Sequence, residues 1–221
     1  MKKIAVLIPA YNASESIGGV ISGVMKHVPV ELIVVVDDGS SDRTVLVAEK
    51  LGVRVVKHTE NRGKGAALQT GFDICLESSF DAVITLDADL QHPPQSIPDF
   101  INLYSSGKFD VIIGSRLHHK KGMPFHRILS NTITTFLVSA RTSLKVPDSQ
   151  SGYRLIDRNV LETVRLHSNG FEAETEFIIK AAKRGFRFGS IPIETVYGGE
   201  KSYMTPWATT LNFVKILFQD Y

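Results

Sequence analysis

Two carboxylates, Asp87 and Asp89, stand two residues apart directly after an apolar run. On an extended backbone such residues point to the same side, about 6.6 Å apart. Carboxylates that converge on one point repel each other, and a divalent cation removes that repulsion. Oxygen ligands favour Mg²⁺ or Mn²⁺ over zinc. The pair therefore predicts a Mg²⁺ or Mn²⁺ site, although two solvated carboxylates or a helix cap before Pro93 would leave the same pattern.

Two further polar segments follow predicted strands. The segment Asp37–Asp42 could bring a carboxylate to a base or ribose, and it also suits a tight turn with Ser41 as the next helix cap. The segment Asn61–Gly65 precedes a helix, so its amides and Lys64 could meet a phosphate. It lacks the spacing of a P-loop, and no G-x-G-x-x-G follows the first strand. These absences count against a kinase, an NTPase or a dinucleotide oxidoreductase.

The elements that must position these residues alternate along the first half of the chain. Short runs rich in apolar residues predict strands covered on both faces: Ile4–Ile8, Leu32–Val36, Val53–Val56, Ala82–Leu86 and Val111–Ile113. Helical patterns lie between them, beginning at Ser14 and Ser41 and covering Gly63–Glu77 and Gln95–Tyr104. This order predicts an α/β fold, a doubly wound, mostly parallel sheet with helices on both faces and a ligand crevice at the carboxyl ends of the strands.

Beyond residue 117 the alternation ends. Helical periodicity covers Gly122–Val146 and Glu174–Arg184, a short strand is expected near Arg187–Ile191, and an amphipathic run begins at Pro206. Because no linker or repeat interrupts the chain, we expect a single domain over residues 1–221.

Composition narrows the class of protein. The 221 residues carry a net charge of +2, which argues against bulk nucleic-acid binding. One cysteine, Cys75, excludes an internal disulfide and indicates a reducing compartment; its apolar neighbours predict a core position. No apolar segment is long enough for a transmembrane helix, and the run at Ile4–Ile8 is too short for a signal peptide. We therefore expect a cytoplasmic protein.

Six motifs carry a family resemblance in the expected order. They are Val6–Asn12, Val35–Thr44, Asn61–Gly71, Leu86–Pro93, Gly114–Arg116 and Asp148–Arg154. Together they resemble family 2 glycosyltransferases of the GT-A fold, and most of all the branch of dolichol-phosphate mannose synthases and polyprenyl-phosphate glycosyltransferases. The resemblance implies a nucleotide-sugar half over residues 1–116 and an acceptor half over 117–221.

The resemblance also implies roles for individual residues. Those expected to bind the nucleotide sugar are Pro9, Tyr11, Asn12, Val36, Asp38, Gly39, Lys64, Asp87 and Ala88. Those expected to hold Mg²⁺ or Mn²⁺ are Asp87, Asp89 and Gln91. Those expected at the reacting centre are Asp89, Arg116, Asp148, Arg154 and Lys201. Many relatives have Glu where this chain has Ala13, and an Arg is absent from residues 196–202, which leaves Lys201 as the phosphate partner.

The implied reaction moves a hexose, mannose or glucose, from a nucleotide diphosphate sugar to a polyprenyl or dolichyl phosphate, with inversion. A phosphate acceptor is already largely dianionic at neutral pH, so basic residues that hold two phosphates together matter more than a general base. Arg116, Arg127, Arg154 and Lys201 are candidates. A saccharide acceptor would require a base, with Asp148 as first choice. A nucleotidyltransferase and a nucleotide-sugar-binding protein without turnover are the alternatives of other classes.

Two apolar stripes and three histidines complete the predictions. One stripe contains Phe125, Leu129, Ile133, Phe136, Leu137, Ala140 and Leu144, and the other contains Trp207, Leu211, Val214, Leu217 and Phe218. They could lie on the cytoplasmic face of a membrane as interfacial helices, or pack on the sheet or in a dimer. His92 could touch the metal or a diphosphate, whereas His58 and His167 are expected to be surface or satisfied histidines. The oligomeric state is not predicted.

Overall fold

A seven-stranded sheet forms the centre of the computed structural model, which describes residues 2–116, 125–195 and 213–219, with no side-chain detail for 125–127. Its strand order is β3-β2-β1-β4-β6-β5-β7. Every neighbouring pair is parallel except the two that involve β6. The strands are β1 (Ile4–Ala10), β2 (Ile33–Asp37), β3 (Arg54–Lys57), β4 (Ala82–Thr85), β5 (Val111–Ser115), β6 (Arg154–Asp157) and β7 (Phe188–Pro192).

Helices cover both faces of this sheet. They are α1 (Ile17–Val24), α2 (Thr44–Lys50), α3 (Lys64–Glu77), α4 (Ile97–Ser105), α5 (Phe125–Thr142), α6 (Arg158–Thr163) and α7 (Ala173–Lys183), with a further helix at 213–218. Neighbouring strand residues point to opposite faces. Ile8 accordingly joins the core with α1, α2 and α4, and Leu7 joins the core with α3, α5, α6 and α7. The predicted α/β fold with a mostly parallel, doubly wound sheet is confirmed.

Two features of the sheet differ from the prediction. β3 is an edge strand with Arg54 and Lys57 exposed, so the expectation that it is covered on both faces is wrong. β6 was not predicted at all. Its four residues begin and end with charged side chains, and it enters the sheet antiparallel between β4 and β5. Only long-range pairing selects such a short strand, because its local pattern is too weak.

The described helix boundaries follow the prediction within four residues. α2 begins at Thr44 after Arg43, so the expectation that Ser41 caps this helix is wrong. α1 begins at Ile17 instead of Ser14, because the amide of Ser14 donates to Asp42 Oδ2 and ties this segment to the turn after β2. Burial raises the pKa of Asp42, but hydrogen bonds from Thr44 and Ser14 lower it to about 2. Cys75 is buried, as predicted, and burial raises the pKa of its thiol to about 12.

Parts of the second half lie outside the described residues. Of the helix predicted over Gly122–Val146, residues 125–142 are observed as α5; residues 122–124 are not described, and residues 143–146 are not helical. Of the run from Pro206, residues 213–218 are helical and the residues before them are not described. Within the described ranges, no helix combines the length and the apolar character needed to cross a membrane.

Candidate functional site

The carboxyl ends of four parallel strands, β1, β2, β4 and β5, meet at one edge of the sheet. The antiparallel strand β6 begins at the same edge, since Arg154 pairs with both Thr85 of β4 and Ile113 of β5. The loop after β4, the end of β5 and the 148–153 segment are thereby brought together. This is the edge at which the strand order predicts a ligand crevice.

A lysine between two carboxylates occupies the centre of this edge. Lys64, the first residue of α3, places its Nζ 2.6 Å from Asp87 Oδ1 and 2.7 Å from Glu174 Oε1. Burial alone would lower the pKa of Lys64, but the attraction of Asp87 and Glu174 raises it above its ordinary value. Burial likewise raises the pKa of Asp87, and the Lys64 ammonium outweighs this and lowers it. The lysine and Asp87 therefore both stay charged at neutral pH.

Gly152 forms the wall behind these three side chains. A Cβ at this position would lie 2.8 Å from Glu174 Oε1, 2.9 Å from Asp87 Oδ2 and 3.0 Å from Lys64 Nζ. The Thr85 hydroxyl donates to the Gly152 carbonyl at 2.6 Å and fixes this backbone. Any side chain at position 152 would displace the charged cluster, so glycine is required for its geometry.

The loop that carries Asp89 is held in an unusual conformation. The amide of Gln91 donates to Asp89 Oδ1 at 3.0 Å, and Leu90 between them has φ of 60°, in the left-handed region that non-glycine residues rarely adopt. Two glycines of α1, Gly19 and Gly23, leave room for the loop to approach that helix. α1 thus serves as the support on which the Asp89 loop rests.

The oxygens of this loop suit a hard cation. Asp87 and Asp89 supply carboxylates and Gln91 an amide oxygen, the ligand types that Mg²⁺ and Mn²⁺ prefer. In the described part of the chain, no three His, Cys, Asp or Glu side chains are grouped so that they could hold a metal by themselves. Asp87 already pairs with Lys64. An ion here would therefore need further oxygens from a ligand or from water.

His92 lies beneath the same loop. It is buried, its ring centroid is 6.1 Å from that of Tyr153, and its Nδ1 has no hydrogen-bond partner among the described residues. Burial lowers the pKa of His92 to about 4, against the opposing attraction of Asp87, so the imidazole is neutral at pH 7. A contact to a metal or diphosphate stays a prediction.

Asp38 faces inward. Its Oδ1 accepts from His58 Nδ1 at 2.7 Å and from the Arg62 amide at 3.0 Å, and its Oδ2 accepts from the Gly63 amide at 2.7 Å. Three of the roughly four acceptor positions of a carboxylate are thus used within the protein. The geometry favours a brace for the loop before α3 over the expected direct contact with a nucleotide. His58 is satisfied, as predicted, because its Nε2 also lies 3.0 Å from Thr70 Oγ1.

The remaining residues expected at the nucleotide lie along the ends of β1 and β2. Pro9 and Val36 are paired across the two strands and buried. Tyr11 is half-buried, and Asn12 has φ of 48° and accepts from the Ser41 amide at 2.9 Å. Two further residues, Gly39 and Ala88, follow β2 and β4. Ala88 is buried, and Gly39 has φ of +74° with no space for a side chain against residues 60 and 61.

Arg116 and Asp148 form a bidentate pair. Arg116 Nε lies 2.8 Å from Asp148 Oδ2, its Nη2 lies 2.9 Å from Oδ1, and the Asp148 carboxylate is fully buried. The Arg116 and Gln150 amides also donate to it. A carboxylate held in this way is a poor general base, so the geometry favours a role in orienting Arg116.

Arg154 is a part of the scaffold. Its guanidinium is buried and donates to the backbone carbonyls of Ser149, Ser151 and Glu174. Its burial lowers the pKa despite the attraction of Glu174 and Asp148. The geometry corrects the expectation of a phosphate-facing Arg154, since it joins the 149–151 turn to α7 instead. Lys201 and the Arg127 side chain lie outside the described residues, so their predicted roles are untested.

Residues 5–165 match the profile of Glycosyl transferase family 2, and the chain belongs to this family. It is therefore a glycosyltransferase. It is 30% identical to the UDP-N-acetylglucosamine–dolichyl-phosphate N-acetylglucosaminyltransferase of Methanococcus voltae, in a match that covers 89% of this chain and 86% of that protein. It is 35% identical to the dolichol-phosphate mannosyltransferase of Pyrococcus furiosus, over 80% of this chain and 53% of that protein.

The fold is also found among solved structures. Glucosyl-3-phosphoglycerate synthase from Mycobacterium tuberculosis, crystallised with Mn²⁺ and UDP-glucose, superposes with a TM-score of 0.77 at 21% identity. The match covers 98% of this chain and 77% of that one. At this level of identity the likeness establishes the GT-A fold.

Sequence reasoning missed two residues of the site. In the sequence Glu174 is only the first residue of a predicted helix, and acids in a first helical turn such as Glu174 and Glu176 are common enough to give no sign of a partner. Gly152 stands inside the Asp148–Arg154 motif, and the motif assigns it no role of its own. Its importance follows from three side chains that approach it from distant parts of the chain, for which the sequence carries no local signal.

Proposed function

We propose that this chain transfers a hexose from a nucleoside diphosphate sugar to a polyprenyl or dolichyl phosphate, in a metal-dependent reaction that inverts the anomeric carbon. The family and the two named relatives support a lipid phosphate acceptor. Support from this chain comes from one observation. Lys64, Asp87 and the Asp89 loop share the carboxyl edge of the sheet, which brings a fixed cation and hard oxygen ligands to one place.

The charges of the reaction explain this arrangement. The bond from the sugar C1 to the diphosphate oxygen breaks as an acceptor phosphate oxygen bonds to C1 from the opposite side, so negative charge grows on the diphosphate. Lys64 is positioned to offset that charge without a conformational search, because two carboxylates already fix its ammonium. Asp87, Asp89 and Gln91 would hold Mg²⁺ or Mn²⁺. When bound, this ion would act as a Lewis acid on the leaving group.

The acceptor needs cations more than a base. A phosphate monoester is mostly dianionic at neutral pH and is therefore already a nucleophile. Arg116 could share its guanidinium between Asp148 and the acceptor phosphate, and Lys201 is the second candidate from the sequence. This division agrees with an Asp148 that is buried in an ion pair instead of exposed as a base.

The test compares Asp89→Asn with Asp99→Asn, a control at an exposed acid of α4. Each protein is assayed for Mn²⁺-dependent binding of the donor and for transfer of radioactive sugar to a short-chain polyprenyl phosphate. We expect Asp89→Asn to lose both and Asp99→Asn to retain both. Transfer that survives in Asp89→Asn would refute the metal assignment. A wild-type protein that transfers only to a saccharide would refute the lipid acceptor.

The donor can be identified by its effect on stability. A ligand that binds only the folded state raises the unfolding temperature by mass action. A panel of GDP-mannose, UDP-glucose and UDP-N-acetylglucosamine, each with and without Mn²⁺, should give one donor with a metal-dependent shift. Equal shifts for every nucleotide would show that the site reads the diphosphate and not the base or sugar.

A membrane contact at the acceptor side is also part of the proposal. Leu129, Ile133 and Phe136 are exposed along α5, and Val214 and Phe218 are exposed on the 213–218 helix. Arg141 Nε of α5 donates to the Leu217 carbonyl at 3.2 Å and joins the two helices. Adjacent apolar stripes of this kind suit the interface of a bilayer that contains the lipid acceptor.

A further inference from the structure

We propose that Glu174 is a positioning residue that retains the Lys64 ammonium when a divalent cation takes Asp87 as a ligand. The inference rests on the metal site of the proposed function. It adds a residue that neither the motifs nor the family resemblance singled out.

Lys64 has two carboxylate partners at almost equal distance. Its Nζ lies 2.6 Å from Asp87 Oδ1 and 2.7 Å from Glu174 Oε1, and the two acids come from different elements, the loop after β4 and the first turn of α7. Asp87 is at the same time an expected metal ligand. An ion that binds Oδ1 of Asp87 takes the oxygen that Lys64 already holds, and an ion on either oxygen is repelled by the nearby ammonium, so Lys64 and the ion compete for Asp87.

Glu174 resolves this competition. A Lys64 that depended on Asp87 alone would lose its only charged partner as the ion bound, and a buried unpaired charge is costly. With Glu174 in place, the ammonium keeps one ion pair at the site and remains beside the diphosphate position. Only Asp87 then exchanges its partner, from the Lys64 ammonium to the ion.

The surroundings hold Glu174 for this role. Its backbone carbonyl accepts from Arg154 Nη1 at 3.0 Å, which fixes the first turn of α7 against the 149–151 turn. Gly152 leaves the space in which Glu174 Oε1 meets the ends of the Asp87 and Lys64 side chains, because a Cβ at this position would lie within 3.0 Å of all three. The side chain is also buried, so water competes poorly for the ion pair.

The experiment titrates the protein with Mn²⁺ alone and measures free Mn²⁺ by electron paramagnetic resonance, without donor or acceptor. Glu174→Gln keeps the size of the side chain and removes its charge. We expect it to weaken Mn²⁺ binding by about fivefold or more, the lower range of couplings between sites. Lys64→Met removes the competitor and should tighten Mn²⁺ binding. The two variants therefore move the dissociation constant in opposite directions.

Glu172→Gln is the matched control. Glu172 is an acid two residues earlier in the same segment, and its carboxylate accepts from the Gly170 amide instead of from Lys64. We expect its Mn²⁺ binding to match the wild type. If Glu172→Gln weakens binding as much as Glu174→Gln, the effect is one of general charge and the inference fails. It fails equally if Lys64→Met does not tighten binding, a result that stands even if Glu174→Gln does not fold.

The outcomes also separate this inference from the proposed function. A wild-type protein that binds no Mn²⁺, either alone or with a nucleoside diphosphate, would refute the metal-dependent reaction itself. A wild-type protein that binds Mn²⁺ with an affinity unchanged in Glu174→Gln and in Lys64→Met would refute only the role of Glu174.

Discussion

At the scale of single residues, two ion pairs with similar geometry differ in how deeply they are buried, and therefore in how much each should contribute to stability. Arg116 and Arg187 each hold a carboxylate through Nε and Nη2, with contacts between 2.7 and 3.0 Å. Asp148 in the first pair is fully buried, whereas the Asp110–Arg187 pair lies at the surface. Exposed pairs are screened by water, and removing one partner of a buried pair leaves a charge without compensation. The first pair should therefore matter far more to the fold.

We expect Asp148→Asn to lower the free energy of unfolding by about 2–4 kcal/mol, because Arg116 loses the carboxylate of a bidentate ion pair whose acidic side is fully buried. Urea denaturation measures the change. Asp110→Asn is the control for the exposed pair and should change stability little. Equal losses in the two variants would show that burial does not set the strength of these pairs.

At the scale of elements, α7 positions the beginning of α3. The buried carboxylate of Glu176 in α7 pairs with Lys180 and accepts from the amides of His167 and Ser168. The loop held in this way supplies the Asn169 carbonyl, which accepts from the Gly65 amide at 2.7 Å. Glu176 thus sets the position of Lys64 through the backbone, although it does not contact the site.

The stability that Glu176 contributes should depend on pH. Burial raises its pKa, but hydrogen bonds from Lys180 and Ser168 outweigh burial and lower it below the ordinary 4.5. Because the folded state disfavours the proton, the contribution is complete above pH 4.5 and is lost as the pH falls through the lowered pKa. We expect Glu176→Gln to cost about 1–3 kcal/mol at pH 7 and progressively less below pH 4.5. Urea denaturation at several pH values measures this, and a difference that is constant with pH would contradict it.

At the scale of the whole molecule, strands from both halves of the chain are interleaved in one sheet. β6 lies between β4 and β5, and β7 pairs with β5, so neither half can complete the sheet alone. We therefore propose that residues 1–221 form a single domain. The second half of the chain adds an apolar surface on α5 and the 213–218 helix to this common framework.

That surface should bind membranes through individual aromatic side chains. We expect Phe136→Ser and Phe218→Ser each to weaken sedimentation with anionic phosphatidylglycerol vesicles by about tenfold, because each removes the transfer energy of one phenyl ring. Leu46→Ser on α2 alters an exposed apolar residue of the opposite face and should have no effect. If the two Phe variants bind vesicles like the wild type, the stripes belong to a protein contact, which gel filtration would then reveal.

Much of the site could be predicted because its chemistry is local. The spacing of Asp87 and Asp89, the apolar runs before them and the position of Lys64 at a helix start are all readable from neighbouring residues. Asp38 and Arg154 show the limit of this approach. The family motifs place both side chains at the ligand. In the structure, the Asp38 carboxylate instead accepts from the amides of Arg62 and Gly63. The Arg154 guanidinium donates to backbone carbonyls of the 149–151 turn.

The sequence by itself determined the α/β alternation, the edge of the sheet where polar residues collect and the family. These follow from periodicity and from motifs that span a few residues each. The tertiary structure decided which charges meet: Lys64 lies between Asp87 and Glu174, and Arg116 pairs with Asp148. The physical reason is that an ion pair depends on distances of a few ångströms between side chains up to 110 residues apart in the chain. Such distances are set only when the strands have paired and the helices have packed.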